Sequence, residues 1–103
     1  MIGADFLRTL PERLRAVLRE SAEQVAARAR TAAPVHSGEL SRSIDVIEDA
    51  QGVGVCASAP QAVIIELGSY RRAAQPFLRP ALLDEREALK ARIRRILTEM
   101  DHD

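Results

Sequence analysis

Aromatic residues, cysteine and lysine are all scarce in this chain. Of its 103 residues 3% are aromatic and none is Trp. The core must therefore be assembled from Ala, Leu, Val and Ile, which make a thin core that partners can complete. A single cysteine, Cys56, excludes an internal disulfide and a Cys-based zinc cluster. Lys90 is the only lysine; every other cation is Arg, whose planar fork pairs with carboxylates in two places and suits interfaces. There is no net charge, because 15 Lys and Arg balance 15 Asp and Glu. That excludes the basic excess of a dedicated nucleic-acid binder, though not a local basic patch. No apolar run approaches the ~20 residues that cross a bilayer, and no basic-then-apolar leader opens the chain. No membrane partner and a cytoplasmic origin are expected. The length predicts one domain spanning residues 1–103, at the marginal end of self-sufficiency.

What is present reads as helix, hairpin, helix. Leu10, Leu14, Val17, Leu18, Val25 and Ala29 recur at helical steps. Thr9 and Glu12 have capping-box spacing and Pro11 follows in the first turn, so the first helix is expected over residues 11–33, ended by Pro34. Ser37 can cap a brief helical turn beside Gly38. Residues 43–48 and 53–58 are β-branched or alternating around a turn-rich DAQG, which predicts a hairpin. Pro60 opens a short apolar run, PQAVIIEL, expected as a brief helix with a third strand as the competing assignment. Leu82, Leu89, Ile93, Ile96, Leu97 and Met100 mark a second long helix over residues 79–100. Its acids, Asp84, Glu85 and Glu87, precede its bases, Lys90, Arg92, Arg94 and Arg95, an order that complements the helix dipole. The fold class is α+β: two long helices packed on a small antiparallel sheet, order α-β-β-α-(β)-α.

The chain holds no constellation for catalysis. His36 and Ser37 are sequence neighbours, whereas triads are assembled from separated residues; they read as exposed turn residues. Asp84 and Glu85 read as a solvated, dipole-matched face. No metal-ligand spacing or phosphate-cradling glycine loop is present, and no cofactor is expected. Cys56 reads as a small buried hydrophobe within a strand.

The most distinctive stretch is ELGSYRRAAQPFLRPAL, residues 66–82. Gly68 permits a sharp turn, Pro76 and Pro80 stiffen the approach to the last helix, and Phe77 supplies a scarce aromatic anchor. Both flanks thus fix a short loop, residues 69–74, whose Ser69, Tyr70, Arg71 and Arg72 form a partner-contact candidate. Glu66 and Arg79 flank it and are candidates to pair. The unpaired edge of a two-stranded hairpin is a further docking feature.

AAPVHSGELSRSI followed by VIIELGSYRRAAQPFLRPAL resembles a family of tail-component proteins of tailed phages and of phage-like gene transfer particles, acting at the head–tail junction. The matching residues are Ala33, Pro34, Ser37, Gly38, Leu40, Ser43 and Ile44, then Glu66, Gly68 and Ser69, then Gln75, Pro76, Phe77, Leu78, Arg79, Pro80 and Ala81. Ser37 and Ser69 stand where Thr is usual, and His36 stands where Asp is common. The resemblance implies a structural virion protein of the neck, without enzymatic activity. It further implies a homo-oligomeric ring, with a hexamer favoured, as the tail terminator that caps the tail tube and joins it to the head-side connector. Double-stranded DNA would pass the lumen with transient, non-specific contact, and assembly would occur in the bacterial host cytoplasm. A head-closure or stopper ring is the alternative, and a small cytoplasmic binding module unrelated to virions is the rival from another class.

Overall fold

A computed structural model describes residues 4–34, 38–50, 52–70 and 73–100. The elements run α1 (Ala4–Ala32), α2 (Glu39–Arg42), β1 (Ile44–Asp49), β2 (Gly52–Ala57), α3 (Ala62–Leu67) and α4 (Leu78–Met100). The class is α+β, with two long helices beside one two-stranded sheet. The run after Pro60 is the helix α3, and at the position of the optional strand the described residues hold a single bridge residue, Ser69.

The helix α1 starts earlier than its cap signals predict. It begins at Ala4, so Thr9 lies within it and Pro11 is internal. A proline there removes one i−4 hydrogen bond and crowds the carbonyl four residues back, a cost borne by a long helix whose later turns are anchored by packing. Along α1, Ala22, Val25, Ala26 and Ala29 are buried. Small residues on that stripe let neighbouring elements approach closely.

β1 and β2 pair antiparallel from Ile44↔Ala57 to Asp49↔Gly52. Alternation turns Ile44, Val46, Val55 and Ala57 toward the core. The same alternation corrects the expectation for Cys56. It pairs with Asp45 on the opposite face and is exposed. A two-stranded sheet is marginal alone, and α1 holds this one by its arginines. Arg30 donates Nε and Nη2 to the Ile44 carbonyl at 3.0 and 2.7 Å. At the hairpin's other end Arg19 grips both oxygens of Glu48 at 2.6 and 3.0 Å, and Arg15 reaches Glu48 and the Asp49 carbonyl at 3.1 and 2.8 Å. The Arg19 hydrogen bonds hold the Glu48 carboxyl below its ordinary value, against a smaller effect of burial.

The core is Ala-rich, as the composition requires. Phe77, Ile44, Leu40 and Ile65 are its large members, joined by Val25, Ala26, Ala29, Ala33, Ala59, Ala62 and Ala81. It gathers where the end of α1 meets α2, the hairpin, α3 and the start of α4. Beyond it, the helix pair extends the molecule to 57 × 23 × 21 Å, with a radius of gyration of 17.0 Å. A compact chain of this length has a radius near ~13 Å. The excess reflects the length of the paired helices α1 and α4.

In α4 the buried stripe differs from the apolar one read in the sequence. Ala81, Glu85 and Ile96 are buried, whereas Leu82 and Leu97 are exposed. Glu85 is 3% exposed, which corrects its assignment to a solvated face; Asp84 is exposed as expected. Position 85 follows Ala81 by four residues and precedes Arg92 by seven, so geometry sets it against α1. There Glu85 Oε2 accepts from Arg92 Nη1 at 2.6 Å, and the same Nη1 donates to the buried Ser21 hydroxyl at 2.7 Å. Arg28 of α1 lies 3.8 Å from Glu85 Oε1, and Glu20 of α1 lies 3.8 Å from Arg92 Nε.

Candidate functional site

The two halves of the distinctive stretch meet at one carboxylate. Glu66, in the last turn of α3, reaches across the loop to the first residues of α4. Its Oε1 accepts from the backbone N–H groups of Phe77 and Leu78, both at 2.9 Å, and its Oε2 accepts from that of Arg79 at 3.1 Å. Helix N-termini leave four N–H groups without helical partners. Here Glu66 satisfies the groups leading into and opening α4, and Pro80 has none to satisfy. The first turn of α4 contains no acidic residue of its own. Its dipole is therefore complemented by Glu66 from outside, not by Asp84, Glu85 and Glu87 as their order implied.

Burial alone raises the pKa of Glu66. The bonds from Leu78, Phe77 and Arg79, with the Arg79 charge, outweigh burial and hold it below its ordinary value of 4.5. Both oxygens are engaged by amides, so Glu66 is a structural anion, not a proton carrier. Glu66 and Arg79, candidates to pair by charge, are joined within the chain by Arg79's backbone N–H, and no ion pair links their side chains among the described residues.

Three further features fix the loop's ends. Gln75 donates its N–H to the Ile65 carbonyl at 2.8 Å, closing the loop's base. Phe77 is 0% exposed and plugs the core beneath it. Gly68 ends α3 with φ 76° and ψ 178°, a region that essentially only glycine occupies. Gly68→Ala is expected to cost about 1–3 kcal/mol, read as a shift of the denaturant midpoint. A loss below ~0.5 kcal/mol would show that the loop's path does not depend on this turn.

The structure places the other sequence candidates as follows. Pro34 ends α1 and is half-buried. Gly38, in the left-handed conformation at φ 78°, takes the cap position of α2, where no side chain forms a capping bond. Pro76, Arg79 and Pro80 are exposed, as is Ser69, and Tyr70 is 90% exposed. Ser37, Arg71 and Arg72 lie outside the described residues, as do His36 and His102. Two features were not anticipated. One is the Glu66 cap, whose only sequence trace is a carboxylate before a glycine and a proline-flanked helix start further on. The other is the apolar exterior of α3: Ala62 and Ile65 are buried, but Val63, Ile64 and Leu67 are exposed.

The family model described as "Bacteriophage HK97-gp10, putative tail-component" matches residues 5–68. The chain belongs to this family. The match takes in α1, Gly38, the hairpin, Glu66 and Gly68, and it stops before the Gln75–Ala81 string that opens α4. Neither the curated proteins nor the solved structures searched gave a match. As a tail component, the chain falls in a structural class of phage proteins. Among its described residues no helix is long and apolar enough to cross a membrane.

Proposed function

We propose that this tail component is the tail terminator: a homo-oligomeric ring, hexameric by preference, that caps the finished tail tube and joins it to the head-side connector. DNA passes through its lumen. The loop of residues 69–74, with Tyr70, Arg71 and Arg72, meets the lumen or a neighbouring neck protein, and assembly takes place in the bacterial host cytoplasm. Membership of the tail-component family is the observation that carries this reading. Two others support it. A loop whose ends are joined through Glu66 leaves the body at the same two points in every copy of a ring. The exposed apolar side chains of α3 beside that loop offer a face that water disfavours and a partner can cover.

Particles made without this chain test the proposal by negative-stain microscopy. Overlong or unattached tails beside DNA-filled heads are the expected result. Emptied, tailless heads would overturn it in favour of a head-closure ring, and intact particles would overturn any neck role.

A further inference from the structure

The neutral total charge conceals an uneven partition. Most described arginines pair within the chain: Arg13 with Glu99, Arg15 and Arg19 with Glu48, Arg30 with Asp45, and Arg28 and Arg92 with Glu85. Arg79, Arg86 and Arg94 have no ion pair among the described residues. All three lie on the outer face of α4. Positions 79, 83, 86, 90 and 94 step by four, three, four and four, so they share one side of the helix. They read Arg, Leu, Arg, Lys, Arg, and all are exposed.

The outer face of α1 has the opposite sign. Positions 12, 16, 20, 23 and 27 also step along one side, are all exposed, and read Glu, Ala, Glu, Glu, Ala. Glu12 and Glu23 have no ion pair among the described residues. The hairpin grips α1 on one flank through Arg15, Arg19 and Arg30, and α4 lies on the other flank at Ser21 and Arg28. The acidic strip lies between these flanks; only Glu20 of its acids reaches one of them, at 3.8 Å from Arg92 Nε of α4. Its ends, positions 12 and 27, are separated by ~22 Å along the helix. The interval from Arg79 to Arg94 is the same.

We propose that the α4 strip of one copy docks on the α1 strip of the next. The contact is heterologous, because two different surfaces meet, and heterologous contacts form a ring where the rotation between copies closes. It rests on the ring reading above and names the surfaces that join its subunits. The chemistry favours a protein partner over the phosphates of DNA. Leu83 and Leu97 are exposed among the cations, and leucines gain nothing from phosphate. Opposite them, the small side chains of Ala16 and Ala27 leave room for leucine and for the stems of Arg.

Charge reversal tests the contact, with mass read by size-exclusion chromatography and light scattering and folding by circular dichroism. All the substituted residues are exposed, so the variants should fold. Arg86→Glu with Arg94→Glu is expected to weaken association at least ~100-fold, and Glu12→Arg with Glu23→Arg to do the same. Combining all four should restore association to within ~10-fold of wild type. A wild-type ring that both reversals leave intact would overturn the contact and spare the ring. A wild-type chain that stays monomeric at every concentration reached would overturn both. A ring that survives Arg86→Glu with Arg94→Glu but loses retention on duplex DNA would assign the α4 cations to phosphate and overturn the contact.

Discussion

Glu66→Ala is expected to destabilise the chain by about 2–4 kcal/mol, because it removes a charged cap and strands the amides that lead into α4. Phe77 is buried, so water cannot fully replace the carboxylate at that amide. The effect should also be local. Hydrogen exchange should accelerate first at residues 77–79, where Glu66 binds, and at Gln75, which closes the loop. Uniform acceleration across the chain would mean that the joint is no separate unit.

Acid should reproduce the loss. The folded-state pKa of Glu66 is depressed, so its contribution is fully present above the unfolded-state value and is lost as pH falls through the folded-state value. Glu48 is depressed as well, so total stability against pH reports more than one group. The difference between wild type and Glu66→Gln isolates the joint. That difference should be constant at neutral pH and shrink below about pH 4.5. A difference that grows with acid would contradict the arrangement.

The second large effect is at Glu85. Breaking a buried pair by removing one partner costs about 3–5 kcal/mol when both charges are buried. Arg92 keeps 24% of its side chain exposed, so screening lowers the expectation for Glu85→Ala to about 2–4 kcal/mol. Replacing Glu85 and Arg92 together by Leu should instead leave stability within ~1 kcal/mol of wild type or raise it. Chemical denaturation of the three chains decides the matter. A double variant as unstable as the single one would show that the pair does more than neutralise itself, for example by fixing how the Ala-rich helices slide against each other.

The hairpin was legible because alternation and a turn-rich segment act locally, and its observed ends fall within one residue of expectation. α4 was legible for the same reason, by its period. The start of α1 was not: Pro11 and the Thr9–Glu12 spacing mimic a helix start, whereas the helix runs on to Ala4. Glu85 and Cys56 were misjudged for a shared reason. Burial was inferred from residue type, but helix phase and strand register set it. Glu85 falls on the packed stripe of α4 and Cys56 on the outer face of the hairpin. The Glu66 cap was out of reach of pattern reading, since it joins residues 11 to 13 positions apart through a loop whose path only the fold defines. Family likeness pointed to the same residues, Glu66 and Gly68, and the structure supplies their physical reason.

The neck position is the central claim, and gold labelling of a tagged copy of this chain in purified particles tests it most directly. A single cluster of label where the tail meets the head is the predicted result. Label along the tube, at the distal tip, or absent from particles that are otherwise complete would contradict it.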